Sequence, residues 1–244
     1  MHTDRLSDAS TVEDRAKKHA ALADAARLKV VDLLQLGDAS PSELQGRLGL
    51  SSNLMAHHLN VLTDAGLVTR RRSQGDRRRS YVTLVPGGLD AISPVQRAGL
   101  GEDLGRRPER ILFVCTANSA RSQLATALWH QASDLPVGSA GTHPAPSIAP
   151  GASAAAERHH LRLVEDVPRH LDDVARDGDL IVTVCDSAHE DLHGRDAVHW
   201  AIPDPVPVGT SAAFDDTVAD LGRRILSLAH LTDSRTATTP MEQR

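Results

Sequence analysis

The sequence predicts two domains: an α+β N-terminal domain in which three helices precede a basic hairpin, and a C-terminal α/β domain with a small doubly wound parallel sheet. Three observations carry this. At 244 residues the chain exceeds one minimal domain and suits two, since a soluble domain takes roughly 100 to 200 residues. Charge divides the chain as well: up to Pro86 there are 13 Lys+Arg against 10 Asp+Glu, a balance of +3, and beyond it 14 against 22, a balance of -8. Finally, helical spacing of apolar residues gives way after Arg110 to short apolar runs alternating with helical segments, the grammar of a parallel sheet covered by helices.

Composition narrows the function classes. Hydrophobic residues make up 40% of the chain but aromatics only 2%, so the cores are built from Leu, Val, Ile and Ala, and a site that needs stacked rings is poorly supplied. No stretch approaches the roughly 20 apolar residues of a membrane span, and the first thirty residues alternate charge with Ala rather than forming a secretory apolar region; a cytoplasmic location is expected. The two cysteines, Cys115 and Cys185, then fit catalysis or redox chemistry better than a structural staple.

In the N-terminal domain, assigned to residues 1–86, Val12 to Leu36 reads as one amphipathic helix with Leu22, Ala26, Leu28, Val30, Val31, Leu34 and Leu36 on its apolar side, ended by Gly37. Ser40-Pro41-Ser42-Glu43 is a capped start with Pro at the first helical position, and that helix stops at Gly49. Ser51 and Ser52 open a third helix that reaches Ala65 and closes at Gly66. Two short strands follow, joined at Gln74-Gly75-Asp76. Helix, short helix, helix and basic hairpin make the winged-helix plan.

On the third helix, Met55, Leu59 and Leu62 share one face, and Asn53, Ala56, His57 and Asn60 share another. The first packs; the second suits a major groove, where Asn pairs with adenine and Ala admits a thymine methyl. Arg70, Arg71, Arg72, Arg77, Arg78 and Arg79 flank the hairpin turn, six guanidiniums with Asp76 as the one acid between them. Such a run suits phosphate backbone and minor groove. Residues 12–85, including LADAARLKVVDLL and AHHLNVLTDAGLV, resemble the ArsR/SmtB family of repressors, and the resemblance implies a homodimer with two wings on a roughly palindromic operator. His58, with Met55 and Leu62 as neighbours one turn away, reads as packed rather than as a ligand. Arsenite sensors of that family use cysteine thiolates, and this domain has none; His19 and its fellows make no metal set, so no metal site is expected and the inducer is not written here.

Residues 87–109, rich in Gly, Pro and charge, read as a linker with room for a short helix, and residues 233–244 as a disordered tail. In the C-terminal domain, residues 110–232, strands are expected at Ile111 to Val114, Val137 to Ala140, Leu180 to Cys185 and Val198 to Ile202. Helices are expected from Arg121, at Ala152 to His160, at Ala212 to Leu231 and, shorter, at Leu171 to Ala175.

The segment Cys115-Thr116-Ala117-Asn118-Ser119-Ala120-Arg121-Ser122 falls between the first strand and the first helix. Small residues let successive N–H groups turn inward around an oxyanion, the helix directs its positive end at it, and Arg121 adds a forked charge. That field favours a Cys115 thiolate nucleophile. Asp204, fixed between Pro203 and Pro205, is placed to donate a proton to a leaving oxygen.

This loop, together with SAGT at Ser139 to Thr142 and HWAIPDP at His199 to Pro205, resembles the low-molecular-weight tyrosine phosphatase superfamily, which includes the thiol-dependent arsenate reductases. The resemblance implies a flavodoxin-like four-stranded parallel sheet, Cys115 as nucleophile, Thr116 to Arg121 as the oxyanion loop, Ser122 supporting the thiolate, Asn118 bracing the loop and Asp204 as general acid. Tyrosine phosphatases of the superfamily set aromatic residues just after the Asp-Pro pair; this chain has Val206-Pro207-Val208, and its one tyrosine, Tyr81, lies in the hairpin. That favours a small inorganic oxyanion such as arsenate. Cys185 matches the resolving cysteine of thioredoxin-coupled reductases, although their third cysteine is missing from Asp186 to His193.

Either Cys115 and Cys185 form the disulfide, or a low-molecular-weight thiol with a glutaredoxin-like partner resolves the adduct, with Cys185 then a buried structural residue. No bound cofactor is expected beyond such a thiol reductant. The leading expectation is a DNA-binding regulator that also reduces arsenate; the alternatives are a regulator with an inactive oxyanion-sensing domain, and a tyrosine phosphatase.

Overall fold

The computed structural model describes residues 6–89 and 108–233. Among these, residues 6–72 and 78–89 form one compact unit, and 108–233 with the short stretch Ser73–Arg77 form another.

The first unit contains α1 (Leu6–Leu22), α2 (Ala25–Leu36), α3 (Pro41–Leu48), α4 (Ser52–Asp64) and the antiparallel strands β1 (Val68–Arg72) and β2 (Ser80–Leu84). The single helix expected from Val12 to Leu36 is two. Asp24 interrupts it, its carboxylate accepting from the N–H groups of Ala26 and Arg27 at 3.0 Å, so it caps α2 instead of continuing α1. α3 begins with the expected Ser40, whose side chain and that of Glu43 form a reciprocal capping box, and Gly49 ends it in the left-handed conformation at φ 65°. Met55, Leu59 and Leu62 of α4 are fully buried with Val30, Val31, Leu44, Leu67 and Val82 in one core.

The hairpin connection is longer than the three-residue turn expected, running from residue 73 to 79. A tight turn at Gln74–Asp76 would set arginines opposite arginines across the ladder. The observed register sets Arg70 against Val82, Arg71 against Tyr81 and Arg72 against Ser80, which removes the like-charge pairs and leaves Arg77 to Arg79 in the loop.

The second unit is a four-stranded parallel sheet of order β4-β3-β5-β6, flavodoxin-like as expected. Its elements are β3 (Arg110–Cys115), α5 (Arg121–Ala132), β4 (Val137–Gly141), α6 (Pro150–Arg158), α7 (Leu171–Val174), β5 (Asp179–Thr183), α8 (Asp186–Leu192), β6 (Val198–His199) and α9 (Ser211–Asp233). β3 is central and buried from Ile111 to Cys115, as its unbroken apolar run requires. Phe113, at its middle, meets Trp129 of α5 and Trp200 edge-on or tilted at centroid distances of 6.0 and 5.7 Å.

Two elements depart from expectation. β5 ends at Thr183, not Cys185, and Cys185 stands at the cap of α8, a helix the sequence reading lacked. With cysteine at the cap position no side chain bonds the first turn, so the usual Ser, Thr or Asp start signal is missing. β6 is two residues long rather than five because its partner β5 has already ended, and Pro203 has no N–H to extend a ladder. The linker helix expected near residues 87–109 lies mostly outside the described residues, as does the tail beyond Asp233.

Candidate active site

Strand order sets the site. The chain leaves β3 toward β4 on one side and reaches β5 on the other, so the crevice at the carboxyl ends of β3 and β5 is the topological switch point of the sheet. Cys115 is the last residue of β3, and Cys185 follows the end of β5 by two residues.

The loop after Cys115 is shaped by its carbonyls. Those of Cys115, Thr116, Ala117 and Ser119 accept from the N–H groups of Thr142, His143, Ala145 and Ala149 at 3.1, 2.8, 2.9 and 2.9 Å. In a trans peptide the next residue's N–H points the opposite way, so the amides of Thr116, Ala117, Asn118 and Ala120 are turned toward the inside of the loop. The Asn118 amide donates to Sγ of Cys115 at 3.2 Å. Gly141 permits the close approach: a Cβ there would lie 2.6 Å from the Thr116 carbonyl oxygen. α5 begins at Arg121 with no side-chain cap, which leaves its first-turn N–H groups to serve an anion.

Asn118 is the brace. It adopts φ 50°, a left-handed conformation that Asn tolerates better than most residues. Its Nδ2 donates to Ser122 Oγ at 2.9 Å and Ser139 Oγ at 2.8 Å, while its Oδ1 accepts from the Arg169 N–H at 2.8 Å. Gln123 Nε2 donates to the Asn118 carbonyl at 3.1 Å, and Ser139 donates to Glu165 at 2.9 Å. The Ser122 hydroxyl accepts from Asn118 Nδ2 and lies 3.1 Å from Sγ of Cys115. The sulfur thus has the Asn118 amide as a donor and the Ser122 hydroxyl as a hydrogen-bonding neighbour, and Cys115 is 2% exposed.

Arg121 is buried across the loop. Its Nη1 donates to the Ile202 carbonyl at 3.1 Å, and its Nη2 pairs with Asp204 Oδ2 at 2.8 Å. Burial alone would lower the guanidinium pKa, but the charges at Cys185, Cys115, Asp204 and Asp186 outweigh it and hold Arg121 above its ordinary value. Asp204 is further held by the Val206 N–H on its Oδ1 at 3.1 Å. Cys185, also 2% exposed, lies with Sγ 3.4 Å from Thr116 Oγ1. Burial pushes its thiol above the ordinary value, Arg121 pulls it down, and negative charge at Cys115 raises it again.

All the residues expected in this site, Cys115, Thr116 to Ser122, Asp204 and Cys185, are brought together. Ser139, Gln123, Glu165 and Arg169 were not singled out; only the SAGT string pointed toward one of them. All five aromatic residues of the chain, Phe113, Phe214, Trp129, Trp200 and Tyr81, are at most 3% exposed. The groove beside Asp204 is walled by Pro205, Val208 and α9 residues such as Thr217 and Asp220, with no aromatic side chain in its lining.

In the other unit the expected DNA-reading residues of α4, Asn53, Ala56, His57 and Asn60, are all exposed, as are Arg70, Arg72, Arg77, Arg78 and Arg79, with Arg71 half-buried. Arg70 Nη2 donates to Asn60 Oδ1 at 3.4 Å, so hairpin and helix meet on one face. His58 is buried, as expected, with Nδ1 3.8 Å from Asp24.

Among the described residues one cluster has metal-ligand composition: atoms of His189, Asp196 and His199 lie within 4.8 Å of one another. The two rings are stacked at 4.2 Å and 9°, so their in-plane lone pairs run parallel instead of converging on one ion as a tetrahedral site requires. No helix among the described residues is long and apolar enough to cross a membrane.

Fold and site define the class: a helix-turn-helix regulator of the ArsR type fused to a phosphatase-fold domain with a cysteine-based oxyanion cradle. A helix-turn-helix domain matches residues 22–71 and the low molecular weight phosphotyrosine protein phosphatase domain residues 110–236. The chain belongs to the low molecular weight phosphotyrosine protein phosphatase family. Among curated proteins none matches it. Solved structures similar to it include a YwlE mutant from Bacillus subtilis, at 23% identity, 51% of this chain and 98% of that one, TM-score 0.46. An arsenate reductase from Archaeoglobus fulgidus is 28% identical over 49% and 98%, TM-score 0.44, and the Erwinia amylovora tyrosine phosphatase amsI 26% over 50% and 92%, TM-score 0.44.

Proposed function

We propose that the chain is a transcriptional regulator whose second domain reduces arsenate to arsenite. The observation that carries this is the second thiol: Cys185 lies against Thr116, within the same anion loop that starts at Cys115.

In this reading the loop amides, the first turn of α5 and Arg121 bind the tetrahedral oxyanion. Sγ of Cys115 attacks arsenic, and an arsenate oxygen leaves as water on a proton from Asp204. The product is an arsenic(V) thioester on Cys115. Sγ of Cys185 then attacks Sγ of Cys115. The S–S bond forms, the electron pair of the S–As bond passes to arsenic, and arsenic(III) departs as arsenite while two thiols become one disulfide. A dithiol protein such as thioredoxin, or a low-molecular-weight thiol with a glutaredoxin-like protein, returns the disulfide to thiols.

The N-terminal unit reads operator DNA as a homodimer, with Asn53, Ala56, His57 and Asn60 at base edges and the hairpin arginines on the backbone. The Arg121–Asp204 pair beside a cysteine cradle would equally serve a phosphatase, so the experiment must separate the two. Arsenite release is measured from wild type, Cys115→Ser and Cys185→Ala with thioredoxin and glutaredoxin systems supplied separately, beside hydrolysis of an aryl phosphate. Arsenite from wild type alone supports the reductase. Aryl phosphate turnover that survives Cys185→Ala, with no arsenite, identifies a phosphatase. Neither product, with operator binding shifted by arsenate, identifies an oxyanion sensor.

A further inference from the structure

The stretch Ser73–Arg77 packs with the second unit, although β1 before it and Arg78 after it belong to the first. Four hydrogen bonds fasten it there. The Ser73 hydroxyl donates to Glu190 Oε1 at 2.7 Å, the Asp76 N–H to Glu190 Oε2 at 2.7 Å, and the Gln74 N–H to Asp186 Oδ2 at 2.8 Å. The fourth runs the other way, from the Asp204 N–H to Gln74 Oε1 at 2.9 Å. Ser73, only 3% exposed, also accepts from the Gly75 N–H at 2.9 Å. Gly75 permits the close approach: a Cβ there would run into Glu190 Oε2 and lie 3.1 Å from Cα of Ser187.

Asp186 and Glu190 are four residues apart on α8 and share one face. Asp186 directly follows Cys185, and Asp204 is paired with Arg121. Gln74 bonds to both and so lies at the mouth of the anion loop. The same stretch connects the two sets of hairpin arginines, Arg70 to Arg72 and Arg77 to Arg79. Phosphates that meet those guanidiniums come within reach of the N–H groups of Gln74 and Asp76. Those N–H groups already carry the carboxylates of Asp186 and Glu190, and like charges repel a second anion from the same place.

We propose that Ser73–Arg77 is an autoinhibitory strap for which α8 and DNA compete. Fastened, it narrows the way to Cys115 and withholds the hairpin arginines from phosphate. Released by DNA, it leaves the anion loop open. Because both equilibria share one segment, whatever loosens the strap raises DNA affinity and access to Cys115 together. This regulation rests on the DNA-binding part of the function proposed above, and not on which reaction Cys115 performs, so it is tested without arsenate.

The test pairs two readouts on the reduced full-length protein: the rate of Cys115 alkylation by iodoacetamide, from mass spectrometry of its peptide, and affinity for a random-sequence duplex at low salt, from fluorescence anisotropy. Glu190→Ala removes the acceptor of Ser73 and Asp76. Gly75→Ala pries the strap away without changing any charge, which separates release from the loss of a carboxylate and serves if Glu190→Ala does not fold. We expect each to speed alkylation and to tighten duplex binding about tenfold, a coupling of ordinary size. The duplex should also speed alkylation of the wild type, and add nothing in either variant. Unchanged alkylation in either variant overturns the proposal, as does a duplex without effect on the wild-type rate, or tighter DNA binding in Glu190→Ala alone. No duplex binding by any form overturns it together with the DNA-binding reading. Coupled readouts in a protein that releases no arsenite from arsenate would sink the reductase reading and leave the strap standing.

Discussion

Arg121 and Asp204 are joined by a 2.8 Å ion pair across the mouth of the anion loop. One residue belongs to the first turn of α5 and the other follows β6 by five positions, so the proposed anion contact and the proposed proton donor meet at a single guanidinium. Asp204→Asn should uncouple them. Protection of Cys115 from alkylation by arsenate should persist, because Arg121 keeps its anchor on the Ile202 carbonyl, while single-turnover arsenite release falls roughly 10^2 to 10^4-fold. Loss of protection equal to the loss of turnover would show that Asp204 orients Arg121 instead of donating a proton.

Arg121→Lys tests the fork itself. Lysine retains the charge but cannot contact Ile202, Asp204 and an oxyanion in one plane. Adduct formation should drop by about 10^2-fold or more, measured as the arsenate concentration that protects Cys115. Near-wild-type protection would mean that the loop amides hold the anion unaided.

Burial pushes the Cys185 thiol upward, and this has a kinetic signature. In the proposed reaction the attacking species is the thiolate, whose fraction below the pKa grows tenfold per pH unit. Arsenite release in a single turnover should therefore keep rising with pH past the ordinary thiol value of about 8.5, read by rapid quench. A plateau at or below pH 7 would place the limiting step elsewhere.

Gly141→Ala places a methyl 2.6 Å from the Thr116 carbonyl, against backbone that is itself held by four hydrogen bonds to residues 142–149. We expect a loss of about 1 to 3 kcal/mol in stability by denaturant titration, with weakened arsenate protection. Full stability and full protection would show that the loop has slack.

In the DNA-binding unit, Arg78→Ala and Arg79→Ala should weaken binding to all duplexes and each reduce the slope of log K against log salt by about 0.9. Asn53→Ala or Asn60→Ala should instead cost about 1 to 3 kcal/mol on the specific operator only. Fluorescence anisotropy on operator and random DNA distinguishes the patterns; equal effects on both duplexes from the asparagine variants would remove α4 from the groove.

What was legible in the sequence were features with a local cause. The Ser40 capping box, the glycine stops at Gly49 and Gly66, the apolar run of β3 and the Cys115–Arg121 loop each need only neighbours in sequence. Asp24 was missed because one acid inside a long apolar pattern reads as surface until its carboxylate is seen on the next two amides. α8 was missed because cysteine holds the cap position. The extended hairpin connection was missed because a turn signal does not reveal what each register would place across the ladder. The contacts of Thr183 with Asp196 and His199 join β5, a loop and β6, and no spacing rule predicts them. His199 lay within a recognised string, yet only packing shows what its two nitrogens face.

The most direct test of the central claim is a stoichiometry. Fully reduced protein given excess arsenate and no external reductant should release one arsenite per chain and lose two titratable thiols, Cys115 and Cys185, with no arsenite from Cys115→Ser. Thiols unchanged and no arsenite, while the same preparation hydrolyses an aryl phosphate, would contradict the account.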